Sequence, residues 1–141
     1  MPNLIVIIAH APLASALRQC VAHVFSERVD TVLALDIEPD ASVAQSLAQA
    51  QNLLSPFGAA PLLLLTDVMG ATPCNVARQL HSERSAYLLA GVNLPMLWRA
   101  VAYQHEPLNV LMEKALHGGV QGILQVDAKI AQTLNTKGEQ K

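Results

Sequence analysis

The sequence lacks an excess of basic residues and carries little charge of either sign. Of its 141 residues only 14% are charged, and the formal net charge at pH 7 is -2. Binding to a nucleic-acid backbone or to an anionic membrane surface relies on clustered Lys and Arg side chains. The composition therefore argues against nucleic acid and lipid headgroups, and we expect proteins or small molecules as partners.

Cysteine is also scarce, and no segment is typical of export or of membrane insertion. Cys20 and Cys74 are far apart and form no CxxC pair, which fits a reducing compartment better than a disulfide scaffold. The opening MPNLIVIIAH has no basic region and no small-residue cleavage site, and no apolar run is as long as a membrane span. We therefore predict a cytoplasmic protein without membrane insertion.

Histidines at metal-binding spacing are absent as well. No HxH or HxxxH arrangement relates the histidines at positions 23, 81, 105 and 117. We therefore expect neither a metal nor a cofactor. His10, which directly follows an apolar run, is the histidine of interest.

Apolar residues are abundant and recur in a regular pattern. They make up 52% of the chain, which is enough for one well-buried core. Short apolar runs alternate with longer stretches of helical spacing, as in an α/β protein. We expect one domain over residues 1–127 and a solvated tail over residues 128–141. The predicted strands are Leu4–Ala9, Thr31–Asp36, Pro61–Thr66 and Ser85–Gly91, and the predicted helices are Leu13–Ser26, Ala41–Ser55, Pro73–Glu83, Leu94–Tyr103 and Leu108–His117.

The first and third of these runs contain LIVIIA and LLLL, which are apolar on both faces. Such runs are typical of central strands in a parallel sheet that is covered by helices. Right-handed crossovers then give a three-layer αβα fold with strand order 2-1-3-4 and a crevice at the carboxyl ends of the two central strands. His10 follows the first strand and Asp67 follows the third, so we predict that they share this crevice.

The segment TDVMGATPCN, residues 66–75, combines features of an anion site with those of a helix start. Pro73 suits the first turn of a helix, and Thr72 before it suits the N-cap. Gly70 and Ala71 keep the approach narrow, so free N–H groups and the Thr72 hydroxyl could hold a phosphoryl group. The alternative is an ordinary helix cap that follows a strand and a glycine turn.

Pairing of His10 with Asp67 would give the histidine a definite chemistry. A carboxylate that accepts the proton of one ring nitrogen fixes the tautomer and leaves the other nitrogen as a nucleophile. The same pair could instead act as a general base, or be a simple hydrogen bond at the end of a sheet. No Lys or Arg lies between Leu62 and Ala77, unlike a P-loop or an arginine-clamped kinase site. A pocket without fixed cations holds a phosphoryl group lightly, as a carrier requires.

Cys74 supports an interpretation from another class of protein. It lies in the first turn of a predicted helix, where a thiol loses its proton more easily. Together with His10 and Asp67 it could form a Cys-His-Asp hydrolase. A non-catalytic ligand-binding dimer is a further alternative.

Three segments together resemble a known family. IIAHAPLASAL, LLTDVMGATPCNVA and LLAGVNLPML are similar, in order and spacing, to the mannose-family IIA component of the bacterial phosphotransferase system. The resemblance implies that His10 is phosphorylated by the histidine-containing phosphocarrier protein and passes the group to a IIB component during sugar uptake. It also implies that Asp67 orients this histidine, and that Thr72 replaces a serine that helps to hold the phosphoryl group.

The same resemblance implies how the chain assembles. Its family has a four-stranded parallel sheet and a fifth strand near the C-terminus that is exchanged between the subunits of a homodimer. GILQVD, residues Gly122–Asp127, is the remaining strand candidate in this sequence. It follows HGGVQG, whose glycines we interpret as a helix stop and a flexible arm.

The motifs depart from the family pattern at several positions. Ala11, Met69, the pair Gly70–Ala71 and Cys74 stand where members usually have glycine, tryptophan, paired glycines and phenylalanine. Met69 makes the surface that meets a partner less bulky and more flexible. The alternative within the family is a regulatory IIA protein that takes phosphate from the carrier but has no dedicated permease.

Overall fold

The computed structural model describes residues 3–127, which alternate between strands and helices along the chain. Short 3-10 turns at Ser26–Thr31 and Ser55–Phe57 connect some of these elements. The strands are β1 (Leu4–His10), β2 (Val32–Ile37), β3 (Leu62–Thr66) and β4 (Ala86–Ala90), and the helices are α1 (Leu13–Val24), α2 (Val43–Leu54), α3 (Thr72–Glu83), α4 (Leu94–Ala102) and α5 (Leu108–Gln121).

The strands form one parallel sheet in the order β2-β1-β3-β4. This confirms the predicted order 2-1-3-4. Every residue of β3 is buried, and so is every residue of β1 before His10. Both central strands lack polar alternation because each of their faces is covered by helices.

Two helical layers enclose the sheet. Alternate residues of the central strands, such as Ile7 and Leu65, pack against α1, α4 and α5 on one face. The intervening residues, such as Ile8 and Leu64, pack against α2 and α3 on the other face. The predicted three-layer αβα architecture is therefore confirmed.

The predicted end of the last helix is wrong. We interpreted the glycines after His117 as a stop, but α5 continues through Gly118 and Gly119 to Gln121. A Cβ at Gly118 would lie 2.8 Å from the Cβ of Arg99, and one at Gly119 would lie 2.8 Å from the Cε of Met96. The glycines therefore allow α5 to approach α4 closely, and they do not end the helix.

The segment after α5 forms no strand within the described chain. Residues 123–126 have irregular backbone, and Ile123, Leu124 and Val126 are exposed. GILQVD thus does not join the sheet of its own chain, and its exchange within a dimer stays a prediction. The tail predicted for residues 128–141 lies outside the described residues.

Candidate functional site

His10 and Asp67 are in direct contact at the carboxyl edge of the sheet. His10 is the last residue of β1, and Asp67 follows the last residue of the neighbouring strand β3. The ring Nδ1 of His10 lies 2.7 Å from Oδ2 of Asp67, and the backbone N–H of His10 donates to the same oxygen at 3.0 Å. The His10 side chain is 51% exposed whereas that of Asp67 is 10% exposed. The pair therefore combines an imidazole ring that is accessible to solvent with a carboxylate that is largely shielded from it.

The Asp67 carboxylate is held in its ionised form. Burial raises its pKa, but the hydrogen bonds from the His10 backbone, the His10 ring and the Val68 N–H outweigh this effect and leave the pKa below its ordinary value. The Val68 N–H donates to Oδ1 at 2.8 Å. An ionised carboxylate only accepts hydrogen bonds, so the neutral His10 ring carries its proton on Nδ1. Its Nε2 therefore keeps a free lone pair.

The loop after β4 fixes the backbone that carries Asp67. The Gly91 N–H donates to the Asp67 carbonyl at 2.9 Å, and the Val92 N–H donates to the Thr66 carbonyl at 3.0 Å. Gly91 has φ of 86°, a conformation in which glycine is strongly preferred. Gly91 and Val92, within the motif LLAGVNLPML, thus hold the backbone at Asp67 in place.

The helix that follows Asp67 starts one residue earlier than predicted. Ala71 is its N-cap and Thr72 is its first residue, and no side chain caps this helix start in the described chain. Thr72 was predicted as the N-cap, and this is wrong because the turn at Gly70, with φ of 88°, places Ala71 in the extended cap conformation. Pro73 does lie in the first turn, as predicted.

The residues predicted to hold a phosphoryl group lie on the loop and helix start beside the pair. In the part of the chain that the structure describes, no hydrogen bond joins His10 to Gly70, Ala71 or Thr72. The first helical bond of α3 runs from the Asn75 N–H to the Ala71 carbonyl. The Thr72 N–H therefore has no partner within the helix, and the positive end of α3 stays open.

Cys74 lies deeper than a nucleophile should. It is a free cysteine, and it is 2% exposed. A thiol that attacks a substrate must be reachable by that substrate, so the burial of Cys74 does not favour the hydrolase alternative.

A second aspartate at this edge was missed by the sequence analysis. Asp36 in β2 accepts a hydrogen bond from the Ser15 N–H at 3.0 Å and one from the Ser15 hydroxyl at 2.6 Å. The available signal was the apolar run TVLALD, which ends in an acid just as the third strand is followed by Asp67. Sequence alone does not tell which of two such acids meets the histidine.

The surface around His10 is apolar and acidic. Leu13, Val68 and Met69 are exposed, with Met69 at 72%. Exposed apolar side chains grouped at one place are typical of a protein contact surface. Glu38 and Asp40 are exposed in the loop after β2, and no Lys or Arg occurs between positions 28 and 78.

The described part of the chain has neither a metal-ligating cluster nor a membrane-spanning helix. Within residues 3–127 no three His, Cys, Asp or Glu side chains are grouped so that they could hold a metal ion. None of the helices in this range has the length and apolar character needed to cross a membrane.

Known proteins match the chain over most of its length. Residues 4–116 match the family EIIA-man, described as the PTS system fructose IIA component. The PTS system sorbose-specific EIIA component of Lacticaseibacillus casei is 28% identical over 94 residues, which are 66% of this chain and 67% of that protein.

Solved structures share the fold. The mannose/sorbose specific IIA subunit of the phosphotransferase system from Enterococcus faecalis has a TM-score of 0.82 at 23% identity, over 90% of this chain and 96% of that chain. The phosphotransferase system component EIIA from Streptococcus agalactiae has a TM-score of 0.78 at 24% identity, over 87% of this chain and 96% of that chain. The matched family region includes His10, Asp67 and all four strands. The chain therefore belongs to the mannose-family IIA components of the phosphotransferase system.

Proposed function

We propose that the chain is a cytoplasmic phosphocarrier that accepts a phosphoryl group on Nε2 of His10. The donor is the histidine-containing phosphocarrier protein, and the acceptor is a IIB component during sugar uptake. The observation that carries this proposal is the 2.7 Å contact between His10 Nδ1 and the buried carboxylate of Asp67, beneath a ring that is half exposed. This geometry leaves Nε2 as the nucleophile and keeps it within reach of a partner protein.

The transfer exchanges equivalent bonds between two imidazole rings. The Nε2 lone pair of His10 forms a bond to phosphorus while the bond between phosphorus and nitrogen in the donor breaks. The electron pair of that bond stays on the donor ring, which carries a proton on its other nitrogen and leaves as neutral imidazole. His10 takes on the positive charge that the donor ring loses, with its own proton still on Nδ1. The Asp67 carboxylate stabilises this charge.

The open start of α3 supports Gly70, Ala71 and Thr72 as the phosphoryl-binding residues. Their backbone N–H groups and the Thr72 hydroxyl can donate to phosphoryl oxygens, and the helix dipole favours the negative charge. Because no Lys or Arg lies between Leu62 and Ala77, this binding is weak. Weak binding suits a carrier, since a tightly held group would not be passed on.

Incubation with phosphoenolpyruvate, the general phosphotransferase enzyme and the phosphocarrier protein tests the proposal. Intact mass should increase by a single phosphoryl group, labile in acid and stable in base, as expected of a phosphoramidate. His10→Gln should abolish the label, whereas His23→Gln, a change at another exposed histidine, should not. Persistent labelling of the His10→Gln variant would contradict the proposal.

Cys74→Ser distinguishes the carrier from the hydrolase. A carrier should transfer the phosphoryl group at nearly the normal rate without this thiol, whereas a cysteine hydrolase should lose all activity. As a second measurement, hydrolysis of a panel of ester and amide substrates is compared between the wild type and Cys74→Ser. Hydrolysis by the wild-type chain that disappears in Cys74→Ser would favour the hydrolase.

A further inference from the structure

The turn that carries His10 is fastened to the end of β2. Ala11, directly after the histidine, donates its N–H to the Ile37 carbonyl at 3.0 Å. Four residues further on, both the N–H and the hydroxyl of Ser15 donate to the carboxylate of Asp36. Asp36 is the register partner of Ala9 in the sheet, so it lies beside the residue that precedes His10. The end of β1 thus lies between Asp36 in β2 and Asp67 just after β3.

α1 needs an acceptor from outside its own sequence. Its N-cap is Pro12, which has no side-chain acceptor, and no side chain of the segment itself caps the helix. Ser15 is the third residue of α1, so its N–H has no partner within the helix. Asp36 supplies that partner with a full negative charge, which also complements the positive end of the helix dipole.

Two helices therefore begin at the edge where His10 lies, and they differ in one respect. At the start of α1 the Asp36 carboxylate caps the Ser15 N–H, whereas the start of α3 has no side-chain cap within the described residues. A dianionic phosphoryl group is attracted by any free helix start. Because its Ser15 N–H is paired with a carboxylate, the start of α1 is less favourable for an anion than the start of α3.

We propose that Asp36 and Ser15 are the positioning pair for phosphoryl transfer at His10. They hold the turn after His10 against β2 and thereby fix the direction of the His10 ring. This inference rests on the proposed carrier function. Neither residue touches the reacting atoms, so both act through the place and direction of the His10 ring.

Steady-state transfer from the phosphocarrier protein tests this role in a series of variants. Asp36→Ala should lower kcat by about 10-fold to 100-fold, the range for residues that orient a reacting side chain, while KM for the donor stays unchanged. Asp36→Asn keeps an acceptor for the Ser15 N–H but loses the charge, so it should lie between the wild type and Asp36→Ala. Ser15→Ala removes only the hydroxyl bond and should have the smallest effect.

Ser42→Ala provides a matched control. Ser42 caps α2 through the Gln45 N–H, so this variant also loses a bond at a helix start, but at a different helix. Its kcat should equal that of the wild type. If Asp36→Ala transfers at the wild-type rate, or is slowed no more than Ser42→Ala, the positioning role is refuted.

The same experiments distinguish failure of the carrier function from failure of the positioning role. A wild-type chain that takes no phosphoryl group would refute the carrier function itself. If the wild type is labelled and the Asp36 variants keep the wild-type kcat, only the positioning role of Asp36 and Ser15 is refuted. If Asp36→Ala does not fold, the folded Asp36→Asn and Ser15→Ala variants still decide, because the pair predicts a graded loss of kcat at constant KM. A raised KM with an unchanged kcat in these two variants would overturn the inference.

Discussion

At the scale of single residues, the charge of Asp67 is the feature on which the proposed chemistry depends. Asp67 is the only side chain that contacts the His10 ring by a hydrogen bond within residues 3–127. Two backbone N–H groups hold its carboxylate in place independently of the ring. The carboxylate is therefore already oriented before the histidine gains positive charge.

The first prediction follows from this arrangement. Asp67→Asn keeps the shape of the side chain but cannot offset the positive charge that His10 gains, so phosphorylation should slow by about 100-fold while the fold is kept. Rapid-quench labelling of the variant beside the wild type gives the rate, and circular dichroism checks the fold. Transfer at the normal rate would show that the histidine does not need this carboxylate.

A second prediction concerns stability at acid pH. Hydrogen bonds lower the pKa of Asp67 in the folded chain. In acid the folded chain therefore binds fewer protons than the unfolded chain does. Its stabilising contribution is complete above the unfolded pKa, at about 3.9, and is lost as the pH falls through the lower folded value. Urea unfolding of the wild type and of Asp67→Asn should therefore differ most near neutral pH and converge in acid. A difference that stays constant down to acid pH would contradict the assignment.

Sequence could predict the His10 and Asp67 pair because each follows a strand that is visibly central. The hydrogen bonds between Asp36 and Ser15 were not predictable, since the two residues belong to different elements and an acid at a strand end has many uses. The cap residue was misplaced by one position, because a Thr-Pro pair does not reveal the φ of the glycine before it.

At the scale of elements, the contact between α4 and α5 depends on glycines that a helix propensity scale disfavours. Gly118 faces Arg99 and the Pro95 carbonyl of α4, and a Cβ there would be 2.8 Å from the Cβ of Arg99. Glycine elsewhere in a helix costs about 1 kcal/mol relative to alanine. Here the close approach of two backbones outweighs that cost, and this is why the sequence HGG was misinterpreted as a stop.

Gly118→Ala should accordingly destabilise the chain, although alanine is the better helix former. Overpacking at a well-packed contact costs about 1–3 kcal/mol, which exceeds the gain in helix propensity. Chemical denaturation measures the change, with Gln121→Ala at an exposed position of α5 as the control. A Gly118→Ala variant more stable than the wild type would show that α4 and α5 move apart at little cost to make room for the alanine Cβ.

At the scale of the whole molecule, the sheet has two edges, and β4 forms one of them. Uncovered strand edges invite pairing with another chain. Beyond α5 the described chain presents Ile123, Leu124 and Val126 to solvent, with Val126 at 85% exposure. The strand order could be predicted from the apolar runs, but the state of this segment could not, because a short apolar segment after a helix can pair with its own sheet or with another chain.

The proposed homodimer with an exchanged strand leads to a prediction about a chain that lacks this strand. The full chain should run as a dimer in light scattering, and a chain that ends at Gly122 should be monomeric or aggregate. This truncation keeps α5 whole, so α4 and α5 remain packed. The His10 and Asp67 site is built from earlier strands and should still accept phosphate. A truncated chain that remains a well-behaved dimer would place the interface elsewhere.

The acidic edge around His10 also affects which anions can reach it. Asp36, Glu38, Asp40 and Asp67 all lie at or just beyond the carboxyl ends of strands, in a stretch of sequence without Lys or Arg. Their combined field repels free phosphate and phosphorylated metabolites, and it attracts a protein with a basic surface over about one Debye length, roughly 8 Å at physiological salt. Under the proposed carrier function, this field favours a phosphoryl group delivered by a protein over dissolved anions that compete for the site.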